Sequence, residues 1–256
     1  MLYGICNLST APLRALPIDS SEMVSQLLFG ETFEVIESEK EWSKIRLTCD
    51  NYEGFIDNKQ FTNITQRLFL ELTSEKQYYC GEIIDFITNS NDELTTIPLG
   101  ASLPFYKSGT LQINANSYRY EGAVLSEIKT KSNISKTAFL YLNTPFLLGG
   151  KTPFGIDAAG FTQMVYKLCG HHLPRDAKSQ ASQGEVLSFI EESEAGDLAF
   201  FDNEEGEIIH VGIILNDYHI IHAHGKVRID TLDHSGIFNK DLQKHTHKLR
   251  IIKKLM

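Results

Sequence analysis

The sequence predicts an α+β protein, β-rich through its first half and helical, then stranded, through its second. Short apolar runs broken by Pro, Ser, Asp and Asn fill residues 2–61. Two landmarks of that stretch return further on, Asn51 as Arg119 and Gly30 as Gly100, at offsets of 68 and 70 residues. A glycine-rich loop at residues 147–155 then opens onto a helical pattern, after which the stretches up to residue 224 are mostly strand-like.

Taken in order, Phe33-Glu34-Val35-Ile36 and Trp42-Ser43-Lys44-Ile45-Arg46-Leu47 alternate as strands do, across a charged turn at Glu37–Glu41. Asn51-Tyr52-Glu53-Gly54-Phe55-Ile56 begins another strand, with Gly where the backbone must bend or pack closely. Strands this short and this evenly spaced suggest a small β-barrel over residues 1–62. The echo of that stretch in Arg119-Tyr120-Glu121-Gly122-Ala123-Val124, and of Gly30 in Gly100, predicts a second barrel over 63–128. Tyr78, Tyr79, Ile83, Ile84 and Phe86 would serve as its early strands. The polar run Lys129–Asn133 marks the boundary of a third domain, 129–256. Within it a helix holding Ala138, Phe139, Tyr141 and Leu142 leads into the loop.

After the loop, Asp157 is a good N-cap, and Phe161, Met164, Val165 and Leu168 share one helical face. His171–Asp176 ends that helix, and Ala177 to about Gly184 forms a short one. Residues 196–201, 208–215 and 219–224 then read as strands.

Composition is that of an ordinary globular protein, 42% apolar and 22% charged. A net charge of −9 with scattered Lys and Arg argues against nucleic acid and anionic membrane as partners. No apolar run approaches the ~20 residues of a membrane span. The N-terminus lacks the basic start and apolar stretch of a secretion signal, so the expectation is a cytoplasmic protein unless a leader has been removed. Cys6, Cys49, Cys80 and Cys169 form no CxxC pair and read as free, mostly buried thiols. Oligomeric state has no signature in the sequence.

Ala158 and Ala159 fall in the first helical turn, where free N–H groups and the helix dipole favour an anion. The segment Gly149-Gly150-Lys151-Thr152-Pro153-Phe154-Gly155-Ile156-Asp157-x-x-Gly160-Phe161 resembles the nucleophile segment of the NlpC-type cell-wall cysteine peptidases, usually Gly-Gly…Gly-x-Asp-Cys-Ser-Gly. It looks in particular like their γ-D-glutamyl-L-diamino-acid endopeptidases, which carry SH3-like domains ahead of the catalytic one; Glu22–Glu31 looks like the opening of such a domain. The resemblance covers nearly the whole chain and is strongest from Leu140 to Asn239. It implies two SH3-like β-barrels ahead of a papain-like domain, no cofactor, and a murein-derived peptide bearing a free N-terminal L-Ala as substrate. The family's Cys and Ser align with Ala158 and Ala159.

Cysteine acyl transfer needs a thiolate, a His to share its proton and a group to orient that His. His210 lies in an apolar strand and His222 follows on the next, so antiparallel pairing could bring the rings together. A lone His in such a strand is otherwise a satisfied core residue. The resemblance of Ile209-His210-Val211-Gly212 and Ile221-His222-Ala223 to the family's base and orienting segments favours function. His222 and His224 could also form a metal pair with His210, but no Asp, Glu or Cys stands nearby at a zinc spacing, and no metal is expected.

Asp157 is a cap by its position. The resemblance implies that it also holds the substrate's α-amine, with Glu31 and Tyr52 as acidic and tyrosyl partners from the first barrel. A strand-end charge and a half-buried barrel aromatic are the plain readings of those two. Ala159 and Phe146 would line the cleft; Phe146 and Leu148 stand where the family commonly has Tyr and Trp, and Ala177 where it often has Ser. Two origins fit Ala158: a Cys replaced in an otherwise intact site, or natural divergence, of which those other departures are further marks. In either case the chain as written should not hydrolyse its substrate. The alternative role is a peptide-binding or scaffolding one.

Overall fold

The computed structural model describes residues 2–126, 128–216 and 218–256. The chain forms two compact units, Met1–Glu127 and Ile128–Met256.

In the first unit, β1 (Leu2–Ile5), β2 (Thr10–Arg14), β3 (Met23–Leu28), β4 (Thr32–Ser38), β5 (Trp42–Leu47), β6 (Glu53–Asp57) and β7 (Thr62–Ile64) make one antiparallel sheet. Its order is β3-β2-β6-β5-β4-β1-β7. The alternation read in β5 is real: Ser43, Ile45 and Leu47 point inward while Trp42, Lys44 and Arg46 stay half exposed. Ile45 and Leu47 join Leu13, Leu27, Phe33 and Ile56 in one core.

A helix the strand pattern does not announce follows, α1 (Gln66–Ser74). The hydroxyl of Thr65 accepts from the Leu68 N–H at 3.2 Å, capping it. Phe69 and Leu72 form its buried face, and Phe69 stacks on Tyr3 with ring centres 4.2 Å apart. The second module then comprises β8 (Tyr79–Cys80), β9 (Ile84–Asn89), β10 (Leu94–Pro98), β11 (Thr110–Ile113), β12 (Asn116–Arg119) and β13 (Val124–Leu125). Four strands pair as β10-β9-β12-β11 and the remaining two as β13-β8.

The internal echo has a structural basis at one of its two landmarks. Gly30 and Gly100 both take positive φ, 78° and 82°, in matching corners. The Gly30 N–H donates to the Cys6 carbonyl at 2.8 Å, and the Cys6 N–H returns to the Glu31 carbonyl at 2.9 Å. In the second module Gly100 donates to Cys80 at 2.9 Å and Cys80 to Ala101 at 2.9 Å. The equivalence of Cys6 with Cys80 thus belongs to the same repeat. The Tyr-Glu-Gly landmark is looser: Gly54 lies inside β6, whereas Gly122 lies outside any strand and Tyr120 is fully buried.

The second unit begins with α2 (Ser132–Ala138), continued by a 3-10 turn at Phe139–Tyr141. The helix expected around Ala138–Leu142 is therefore this earlier one, tightening before Asn143 turns the chain at φ 69°. The hairpin β14 (Lys151–Thr152) and β15 (Gly155–Ile156) precedes α3 (Ala158–Leu168), and α4 (Ala177–Ala181) follows. Then come β16 (Glu185–Leu187), β17 (Leu198–Asp202), β18 (Ile208–Ile214), β19 (His219–His224), β20 (Lys226–Asp233), β21 (Gly236–Asn239) and β22 (Lys244–Lys254). The sheet runs β16-β22-β17-β18-β19-β20-β21, and β21 also pairs with β22, so six strands close into a ring. Ala199, Phe201, Ile214, Ile220, Leu232, Ile237 and Ile252 fill a core on it. Every residue of α3 is buried, packed on α2, β18 and β19. The helices-then-strands order expected of the α+β domain is thus observed. Among the described residues no helix is long and apolar enough to cross a membrane.

Candidate active site

The loop and the start of α3 are held by a single carboxylate. Asp157 Oδ1 accepts from the Gly160 N–H at 2.7 Å, the N-cap bond read from sequence. Its Oδ2 accepts from the Gly149 N–H at 2.8 Å, which ties the glycine-rich loop to the helix. Arg175, itself buried, forks onto both oxygens, Nη1 to Oδ1 at 3.0 Å and Nη2 to Oδ2 at 2.6 Å. Asp157 therefore accepts four hydrogen bonds, the full complement of an ionised carboxylate. The loop comes so close that a Cβ on Gly160 would lie 2.4 Å from the Gly150 carbonyl oxygen. Ala158 and Ala159, both buried, occupy the first turn.

Gln180 of α4 locks that turn from the other side. Its Nε2 donates to the carbonyls of Ala159 at 3.0 Å and Pro174 at 2.8 Å, and its Oε1 accepts from the Thr162 hydroxyl at 2.7 Å. Asp176 caps α4 through the Ser179 N–H at 2.8 Å. Asp197 accepts the Glu194 N–H at 2.8 Å and pairs with Lys131 at 2.7 Å. Both of these aspartates have structural work in the turns where the sequence placed them.

Across from α3, adjacent strands bring the two predicted histidines together. His222 pairs with Gly212, two residues along β18 from His210. His210 Nε2 lies 2.8 Å from His222 Nδ1, and His222 Nε2 lies 3.1 Å from Asp230 Oδ2. Arg228 reaches over β20 to grip Asp230, Nε to Oδ2 at 2.7 Å and Nη2 to Oδ1 at 2.9 Å. A further group, His247 of β22, stacks on His210 with ring centres 4.1 Å apart. His224 meets His247 edge-on at 4.9 Å.

These contacts set the charges. Burial opposes the charge of Asp230, but the hydrogen bonds from His222 and Arg228 outweigh it and bring its pKa down to about 2. Burial, then the neighbouring His222, His247 and His224, push His210 well below the usual imidazole range. Burial also lowers His222, against the pull of Asp230. Burial, then His222 and His224, bring His247 to about 3. His210 and His247 are thus neutral at pH 7. An anionic Asp230 fixes the proton of His222 on Nε2, so its Nδ1 accepts from His210 Nε2–H, and the lone pair of His210 rests on Nδ1. That is the arrangement of a base and its orienter. The residue at the head of α3 is Ala158, whose methyl group offers no nucleophile.

Ala158, Ala159 and Asp157 therefore sit at one helix end, and His210 and His222 on the strands that helix packs against. Phe146 is exposed on the loop, its N–H bonded to the Gly225 carbonyl at 3.0 Å. Glu31 and Tyr52 belong to the N-terminal unit. Glu31 is buried and accepts the Leu28 N–H at 2.9 Å; Tyr52 is half-buried on the core of the first sheet. The sequence did not announce Asp230, Arg228, His247 or Gln180. Asp230 is the one buried acid of β20, but the strand does not alternate regularly from Val227 to Asp230 and Leu232, so no period pointed to it.

Residues 143–248 match the NlpC/P60 family and residues 13–61 the bacterial dipeptidyl-peptidase Sh3 domain. The chain is similar to the gamma-D-glutamyl-L-lysine dipeptidyl-peptidase of Bacillus subtilis, 30% identical over 214 residues, 78% of this chain and 71% of that one. It is also 26% identical to dipeptidyl-peptidase 6 of Lysinibacillus sphaericus, over 91% of this chain and 93% of the other. Among solved structures, an NlpC/P60 family protein from Bacillus cereus shares the fold over 99% of both chains, with a TM-score of 0.83 at 18% identity.

Proposed function

Because the chain belongs to the NlpC/P60 family of cysteine peptidases, we propose that its C-terminal unit is a murein-peptide cleft of the γ-D-glutamyl-L-diamino-acid endopeptidase type, silenced at residue 158. The ligands are short cell-wall peptides with a free N-terminal L-Ala, met in the cytoplasm. The observation that carries this reading is the pairing of a complete His210–His222–Asp230 relay with a methyl group at the nucleophile position.

With Cys at residue 158, the thiol would pass its proton to His210 Nδ1, and the helix N-terminus would favour the thiolate. The thiolate would attack the γ-glutamyl carbonyl, and His210 would return the proton to the departing amine. Water would then release the acyl group by the same route in reverse. With Ala158 none of these steps can begin, and the cleft binds without turnover. Asp157 acts on the substrate amine as a nearby negative charge, since its oxygens already accept four hydrogen bonds. Ala159 and Phe146 are assigned to the cleft wall, on the likeness of their segments to the family.

The test is Ala158→Cys assayed on L-Ala-γ-D-Glu-L-Lys. Turnover should appear, and His210→Ala in that background should abolish it. A folded Ala158→Cys protein that leaves the tripeptide intact would reject the silenced-peptidase reading and favour a peptide-binding or scaffolding protein, to which the departures at Phe146, Leu148, Ala159 and Ala177 would then belong.

A further inference from the structure

The relay uses two imidazoles, yet a third lies against them. His210 on β18, His222 on β19 and His247 on β22 each offer one ring nitrogen, and the three nitrogens lie within 4.8 Å of one another. All three strands belong to the closed ring, so the donors stand on rigid elements. His210 and His222 are buried while His247 is half-buried, which leaves the cluster one open side. The sequence offered His222 and His224 as a pair for His210; the geometry puts His247 in the place of His224.

We propose that His210, His222 and His247 form a three-imidazole site for a divalent transition ion of the zinc type, with the fourth position open to solvent. Three neutral nitrogens and no clustered carboxylates suit Zn²⁺, Cu²⁺ or Ni²⁺ and do not suit Mg²⁺ or Ca²⁺. Asp230 completes the set as the outer partner, holding the Nε2–H of His222 so that Nδ1 points its lone pair at the cluster. Arg228 in turn fixes Asp230.

Binding asks the rings to move: nitrogens up to 4.8 Å apart must close on one ion, and the stacked rings of His210 and His247 must turn out of parallel so that their lone pairs converge. Two nitrogens on a tetrahedral zinc, each about 2.0–2.1 Å from it, stand about 3.3 Å apart. The His210–His222 nitrogens lie at 2.8 Å, so the rings must separate by roughly half an ångström. His210 must also shift its proton from Nε2 to Nδ1 to free a lone pair for the ion. An ion held by the His210 Nε2–His222 Nδ1 pair would displace the hydrogen bond of the proton relay, so the two forms would exclude one another. The inference rests on the imidazole geometry and stands whether or not the cleft takes murein peptides.

Zinc chloride titrated calorimetrically into metal-stripped full-length protein tests it. One equivalent should bind, and cobalt chloride in its place should give the intense visible bands of a tetrahedral site. His247→Gln should weaken zinc binding at least tenfold. His245→Gln, which removes an exposed histidine paired with Asp233, should leave it unchanged. Should His247→Gln not fold, the cobalt spectrum of the unaltered protein decides: weak octahedral bands overturn the proposal. Absence of one-to-one binding, or undiminished affinity in a folded His247→Gln variant, overturns it as well.

Discussion

Acid should loosen the C-terminal unit well before its carboxylates titrate. His210 and His247 have native pKa values far below the ~6.5 of an unfolded histidine, so the unfolded chain binds more protons than the native one as pH falls below that value. Stability is therefore unaffected by these groups above pH ~6.5 and is lost from there downwards, until the depressed native pKa is reached. A histidine that stays neutral in the native state but titrates normally when unfolded costs about 2 kcal/mol on going from pH 7 to pH 5. His210 is buried and carries that full amount. His247 is partly exposed, and solvent screening reduces its share to about 1 kcal/mol. The loss is then roughly 3 kcal/mol, against the ~5–15 kcal/mol of a typical domain. His172 and His222, both lowered first by burial, push in the same direction. Asp230, at about 2, enters only at lower pH. Hydrogen exchange of the α3 amides in urea at pH 7, 6 and 5 follows this unit. Fluorescence of Trp42, the sole tryptophan, follows the N-terminal unit as an internal control. His247→Gln should reduce the pH dependence measured at α3 by about a third, leaving the share of His210. Equal protection of α3 at pH 5 and pH 7 would refute the reasoning.

Two further changes probe the supports of the site. In the Ala158→Cys background, Asp230→Asn lets an amide N–H donate to His222 Nε2 and reverses both tautomers, so kcat should fall ~10²–10⁴-fold with KM little changed, as steady-state kinetics would record. Arg175→Ala removes one partner of a buried bidentate pair and should destabilise the C-terminal unit by about 3–5 kcal/mol in chemical denaturation, with loss of order at the loop around Gly149.

The parts of this fold legible in the sequence are those where one local rule acts alone. β5 alternates because one of its faces meets the core, and α3 begins at Asp157 because a carboxylate caps it. Gly30 and Gly100 betray a repeat because both corners need positive φ. What escaped depends on tertiary neighbours. α1 is short and its buried face consists of Phe69 and Leu72 alone, too little for a period to emerge. The Cys6–Cys80 equivalence shows in matched backbone hydrogen bonds, and a shared cysteine at each corner does not reveal it without them. At the site, His210 and His222 were recognisable by likeness to known segments. Asp230 and His247 come from strands further along the chain: β20 pairs with β19, which carries His222, and β22 is held by its pairings with β17 and β21.

The direction of the relay is set at its far end, away from residue 158. Arg228 cannot give up its proton, so Asp230 remains an anion and must accept from His222. His222 then presents only a lone pair to His210, and His210 can only donate from Nε2, which leaves Nδ1 as its acceptor. No step in that chain refers to residue 158, so β18, β19 and β20 fix the His210 tautomer whatever side chain stands there. A thiolate would, however, favour the protonated form of His210 and oppose the effects of burial and the neighbouring imidazoles. Ala158 withholds that counter-charge. An alanine at residue 158 is therefore compatible with a neutral imidazole, and a neutral His210 beside His222 and His247 is a better ligand for a cation than half of a thiolate–imidazolium pair would be.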